Sequence, residues 1–241
     1  EATLFDLLTH RTGAPFATEI WYGTPLTRDE VLQEIRNHPG APLRSQFDYN
    51  NIMYLAAGQI IPAITGASFD DFLHTHIFQP LGMTHTNTST RQLTGNTNVA
   101  SPHNCVADQL DVVPWRNVDN MAPAAAINSN AADMARWLQF LVQRGRFDDS
   151  QLLSETQAEM MFTPQTLVNP RGWWNIFFPD TPFRTYGLGW FVYDHQGYAV
   201  AAHAGVIDGI RAVSAVVPNE AFGVVILTNR GWENGSPDGN M

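Results

Sequence analysis

Apolar residues recur at helical spacing through the first two thirds of the chain. In "EATLFDLLTH", Leu4, Leu7 and Leu8 fall on one helical face, and Gly13 supplies a stop. The next segment, "TRDEVLQEIRNH", opens on a capping box from Thr27 to Glu30 and presents Val31, Leu32 and Ile35 together. A third helix is predicted from near Tyr49 to Gly66. It is followed at once by "SFDDFLHTHIFQPLG", with Ser68 as N-cap and Pro80 as the stop. After a polar, Pro-containing loop of roughly thirty residues, "INSNAADMARWLQFLVQRG" predicts an amphipathic helix closing at Gly145, and Ser154 to Gln157 marks a further short helical start.

The period changes after the Trp- and Pro-rich stretch "NPRGWWNIFFPDTPF". The runs "YGLGWFVYD", "YAVAAHAG", "IRAVSAVVP" and "FGVVILTN" are short, β-branched and aromatic, and the turn-forming "HQG", "VIDG" and "PNEA" separate them. They predict an antiparallel meander. Helices first and strands last make the fold class α+β, a helical region (1–160) packed on an antiparallel sheet (161–241) as one intimate unit. There is no internal repeat and no low-complexity linker.

Composition narrows the function classes. At 241 residues, with 44% hydrophobic and 15% charged residues, the chain can bury a sizeable core. A formal charge of -10 without any basic run argues against nucleic acid or an anionic membrane surface as a partner. All 13 positive residues are arginine, so lysine chemistry within the chain is excluded. The single cysteine, Cys105, cannot form an intramolecular disulfide. No apolar run reaches the length of a membrane span, and the opening residues lack the pattern of a signal peptide. The chain opens inside a predicted helix and therefore reads as a cut through a larger domain.

Spacing alone offers weak chemistry. His74 and His76, two apart on a helix, point to different faces and make a poor metal pair, so neither a metal nor any other cofactor is expected. His103 lies near Cys105 in what reads as a polar loop, and Ser68 in "GASFD" lacks the strand and final glycine of a nucleophile elbow. Tyr49 and Asn51 admit two readings: ring packing plus helix capping, or groups aimed at a substrate. "HAG" at 203–205 could equally begin a turn.

Taken together, "TLFDLLTHRTGAP", "FDYNNIMYLAAGQIIPAITGASFDDFL", "NMAPAAAINSNAADMARWLQFL" and "HAGVIDGIRAVSAVVPNEAFGVVILTN" resemble the class C β-lactamase-like serine hydrolases, a family of penicillin-binding-protein-like peptidases, β-lactamases and carboxylesterases. The four segments run in the family's order along nearly the whole chain. The resemblance implies that Tyr49 is the phenol that moves a proton to or from the nucleophile, that Asn51 orients the substrate, and that His203 stands at the lysine position of the third motif. It further implies that Gly205 lies against the substrate and that the backbone N–H of Val206 forms half of an oxyanion hole. Trp21, Tyr22, Trp173 and Trp174 are candidate walls of the substrate cleft, with core packing as the alternative.

The departure from the family is the Ser-x-x-Lys motif, which this lysine-free chain cannot contain. The expectation is an internal piece of a serine hydrolase, incomplete at both ends and inactive alone, that acts on a small-molecule or peptide amide, ester or β-lactam. The rival expectation is a non-catalytic ligand-binding or interaction domain. Family membership would imply a secreted or periplasmic setting. It also implies that strands outside this chain pair with its sheet, so the isolated chain is expected to self-associate through an open edge that bares Val224, Val225 and Ile226.

Overall fold

A computed structural model describes residues 1–106, 109–168, 181 and 183–231. Five helices form one half: α1 (Leu4–Leu8), α2 (Arg28–Glu34), α3 (Asn51–Thr65), α4 (Phe69–Leu73) and, after a two-stranded ribbon, α5 (Ala122–Ala125). Their N-termini are chemically marked. Thr3 with Asp6 and Thr27 with Glu30 form capping boxes, and the Ser68 hydroxyl accepts from the Asp71 N–H. Helix α1 ends sooner than Gly13 suggested: Thr9 caps it, and His10 turns the chain in a left-handed conformation at φ 53°. A π-helical turn, His74–Phe78, carries α4 on to Pro80.

The inner faces of these helices bury Val31, Ile52, Leu55, Met121 and Trp21 in one apolar cluster. Burying each of the larger side chains contributes about 1.5–3 kcal/mol relative to exposure. Gly58 allows α3 and α5 to touch, because a Cβ there would collide with the ring of Pro123. The region expected as one long loop contains the ribbon β1 (His103–Val106) and β2 (Gln109–Val112), so His103 and Cys105 sit on a strand. The ribbon escaped a reading by period because four-residue strands carry too little alternation.

The second cluster lies under helix α6 (Ala131–Val142), where Leu138, Phe140 and Leu141 meet Trp190, Val192 and Val216 of the sheet. Asn130 caps α6, and Gly145 follows it at φ 83°. A small hairpin, β3 (Arg146–Phe147) and β4 (Ser150–Gln151), leads to α7 (Glu155–Phe162), which Ser154 caps. The sheet is an antiparallel meander of β5 (Thr166–Val168), β6 (Arg184–Tyr186), β7 (Phe191–His195), β8 (Tyr198–Ile207), β9 (Ile210–Val217) and β10 (Phe222–Thr228). "YGLGWFVYD" is therefore not one strand. Tyr186 ends β6, the Gly187 N–H bonds the Trp190 carbonyl, Gly189 takes φ 87°, and the chain reverses into β7.

Strand β10 is an edge among the described residues. One face of it packs inward, with Gly223 against Leu138 and Val225 on the α6 cluster. On the alternate positions Phe222, Val224 and Ile226 face outward, and Ile226 remains 56% exposed. Val225 is thus partly buried, while its two neighbours are bare. Sedimentation of the dilute 241-residue chain is expected to show self-association, and Val224→Lys with Ile226→Lys is expected to abolish it. A wild-type monomer whose β10 amides resist hydrogen exchange would contradict this.

Candidate active site

Tyr49 enters the site from the segment just before α3. Asn50, not Asn51, is the N-cap: its side-chain oxygen accepts from the Ile52 N–H at 2.7 Å. Asn51 is the first helical residue and is half-buried, so its amide is not consumed by capping. The Tyr49 ring stacks on Phe191 at 6.4 Å and 17°, and its centroid lies 4.5 Å from His10 and 6.1 Å from His203. His203 itself lies 5.6 Å from Phe191 and 6.2 Å from Tyr186. Residues 49 and 203, 154 positions apart in the chain, thus share one aromatic enclosure that also holds His10, Tyr186 and Phe191.

The enclosure sets the proton chemistry. Burial raises the Tyr49 phenol to about 12, and burial lowers His203 below the usual histidine value. Both groups are neutral near pH 7. His203 therefore supplies no positive charge beside the phenol.

Strand β8 presents the rest of the site. Its pairing with β7 ends at Ala202, so the edge from His203 to Ile207 carries no strand on that side among the described residues. A two-residue turn, Asp208–Gly209, joins β8 to β9. The closing pair Ile207↔Ile210 exchanges hydrogen bonds, which makes Val206↔Arg211 a non-bonded pair and turns the Val206 N–H away from β9. A Cβ on Gly205 would meet open space.

The turn is braced from two sides. The Tyr22 hydroxyl donates to Asp208 at 2.6 Å, Arg116 donates to the same carboxylate at 2.7 and 2.8 Å, and the guanidinium lies 5.3 Å over the Tyr22 ring. Burial and the adjoining Asp208 carboxylate raise the Tyr22 phenol to about 12. A shallow groove of about 290 Å³ opens beside this brace, between Gly23, Thr24, Trp115 and Arg116. Trp21 lies instead in the helical core at 4% exposure, because its ring completes the cluster around Ile52 and Met121. It walls no cleft. Trp173 and Trp174 lie outside the described residues.

The other sequence candidates stand apart. Ser68 is a cap, His74 and His76 are exposed on α4's π-helical extension, and the described residues hold no cluster of His, Cys, Asp and Glu that could bind a metal ion. His10, Tyr186 and Phe191 were missed because periodicity marks them only as core positions. The left-handed His10 is the one with a local signal, since a non-glycine residue at positive φ needs surroundings that hold it there.

The family model described as Beta-lactamase matches residues 1–240. The chain belongs to the β-lactamase family. Unguisins hydrolase ungD of Aspergillus violaceofuscus is 31% identical over 95% of this chain and 43% of its own length. The putative penicillin-binding protein PbpX of Bacillus subtilis is 28% identical over 94% of this chain and 51% of its own. The chain thus spans about half the length of these curated relatives. Among solved structures, the octameric penicillin-binding protein homologue from Pyrococcus abyssi superposes with a TM-score of 0.81 at 22% identity, covering 98% of this chain and 53% of that one. A D-amino acid amidase from Ochrobactrum anthropi SV3 gives 0.76 at 21% identity, over 97% and 66%. These structures share the fold, helices packed on an antiparallel sheet.

The segment that delivers Tyr49 is pinned electrostatically. Asp6 is 1% exposed and takes two hydrogen bonds from Arg44, at 2.9 and 2.8 Å, besides an ion pair with Arg11. The bonded Arg44 guanidinium, with help from Thr3, holds the Asp6 carboxyl well below the ordinary 3.8. Arg44 is itself 49% exposed, so water screens the pair and its worth is modest. A depressed carboxylate stabilises the fold fully above its unfolded value, and that contribution is lost as pH falls through the folded one. Asp6→Asn is expected to lower the melting temperature by a few degrees at pH 7, with the gap to wild type closing below about pH 3, as read by thermal scans across pH.

Proposed function

We propose that this chain is the part of a serine hydrolase that assembles proton transfer and oxyanion binding for acyl transfer to an amide, ester or β-lactam. The observation that carries the reading is the convergence of Tyr49 and His203, from opposite ends of the chain, beside the open β8 edge with its outward Val206 N–H. Tyr49 relays the proton, Asn51 orients the acyl group, and the Val206 N–H donates a hydrogen bond that stabilises the charge developing on the carbonyl oxygen. Gly205 leaves room for the substrate backbone along β8. That ungD is called a hydrolase and the Ochrobactrum enzyme an amidase favours amide cleavage by an acyl-enzyme.

A phenol near 12 is a poor base at neutral pH, and neither neutral His203 nor a lysine in this sequence is there to lower it. The nucleophile and its cation are therefore assigned to the parent protein outside these 241 residues. Relatives about twice as long leave room for that assignment. A cation docked against Tyr49 would bring its pKa down into the working range.

The 241-residue chain alone is expected to take no label from a fluorophosphonate or a penicillin. Stoichiometric labelling of a residue within it would place the nucleophile here and overturn the assignment. In the full-length parent, Tyr49→Phe is expected to lower turnover by roughly 10² or more while the melting temperature stays near that of wild type. Normal turnover with a lower melting temperature would instead make Tyr49 a packing residue.

A further inference from the structure

His10 makes three contacts that bracket Tyr49. Its backbone carbonyl accepts from the Asp48 N–H at 2.9 Å, and its ring Nδ1 accepts from the Asn50 N–H at 3.1 Å. Between these two bonds the ring of Tyr49 rests against the imidazole, 4.5 Å between centroids. The Asn50 side chain adds a bond to the Pro15 carbonyl, so the segment after α1 grips the residues on both sides of Tyr49. None of this is generic helix capping, because the Asn50 cap is complete through its own bond to Ile52.

Accepting at Nδ1 places the imidazole proton on Nε2. That nitrogen is buried and has no hydrogen-bond partner among the described residues. The imidazole sits among the rings of Phe47, Tyr54 and Tyr186, at 5.5, 5.1 and 4.8 Å between centroids. Burial, reinforced by nearby His203, lowers the imidazole to about 3, so the ring is uncharged at working pH. The backbone is left-handed at φ 53°, a conformation that costs a non-glycine residue on the order of 1 kcal/mol unless its surroundings demand it. An uncharged ring held in a strained backbone and bonded to a neighbour of the candidate proton relay has the form of a built support.

We propose that His10 is the positioning residue for Tyr49: its carbonyl and Nδ1 lock residues 48 and 50, and through them set the angle at which the phenol meets the reacting atoms. The proposal rests on the acyl-transfer reading of the site. A misplacement of about 1 Å at a reacting group can cost up to about 10²-fold in rate, which is enough for an indirect support to be visible in kcat. His10 is fully buried behind Tyr49, so its loss acts through Tyr49.

Two variants separate the parts. His10→Phe keeps a ring and removes the acceptor, whereas His10→Asn keeps an acceptor near the Nδ1 position and tolerates the left-handed backbone. In the full-length parent, His10→Phe is expected to lower kcat roughly tenfold or more with KM within about twofold, and His10→Asn to recover kcat to within about threefold of wild type. Independently of activity, the ¹⁵N shifts of the imidazole in the 241-residue chain are expected to show Nδ1 unprotonated and Nε2 protonated from pH 5 to 8. A proton on Nδ1, an unchanged kcat in His10→Phe, or a His10→Asn as slow as His10→Phe would each overturn the proposal. If His10→Phe does not fold, the His10→Asn rate and the wild-type shifts decide. Tyr49→Phe measured alongside keeps two failures apart: normal turnover there removes the functional reading, whereas slow Tyr49→Phe beside normal His10→Phe removes only the positioning role.

Discussion

The hydrogen bonds that fasten residues 10–15 to residues 41–50 decide where the candidate chemistry stands. Gly13 and Arg11 accept from Ala41 and Arg44, His10 accepts from Asp48 and Asn50, and Arg44 reaches back to Asp6 on α1. Two irregular segments, each without repeating structure of its own, are joined into one ledge because the backbone donors of Ala41, Arg44, Asp48 and Asn50 all find acceptors across the contact. Helix α3 starts from that ledge. Tyr49 is therefore aimed by the seam between segments and not by the helix it precedes.

Burial keeps the titratable groups of the site neutral. Tyr49, His203 and His10 all sit among aromatic rings, and desolvation moves each of them toward its neutral form. Such an enclosure strengthens any charge that later enters it, since a cation or an oxyanion there would be poorly screened. The charged groups of this half of the molecule are instead spent on architecture: Asp6 with Arg44 and Arg11 under α1, and Asp208 with Arg116 and Tyr22 at the β8–β9 turn. The second of these fixes the turn two residues beyond Val206, and so steadies the strand that offers the outward N–H.

Two open stretches of the sheet have different characters. The β8 edge beyond Ala202 is short, has open space beside Gly205 and is flanked by the aromatic enclosure, as suits a strand that receives an extended ligand. Strand β10 is seven residues long and bares alternate large apolar side chains, which is the character of a surface that is covered by something. The same meander thus carries a candidate recognition edge and a candidate assembly edge, separated by β9.

Much of the element pattern was determined by the sequence alone, because caps and periods are local. Thr27 with Glu30, Ser68 and Ser154 each mark a helix start that the structure has, and the β8, β9 and β10 runs are short β-type stretches bounded by turn-forming residues. The co-linear family motifs likewise singled out Tyr49, Asn51 and His203. Locality also explains what escaped: Gly187 and Gly189 break one apolar run into two strands, and β1 and β2 are too short to show alternation. The tertiary structure alone decided that Asn50 takes the cap, that Trp21 is core while its neighbour Tyr22 braces a turn, and that His10 lies against Tyr49. Each of those outcomes depends on a partner dozens of residues away or on competition between adjacent side chains for one position, and such choices are made by packing, which no single stretch of chain contains.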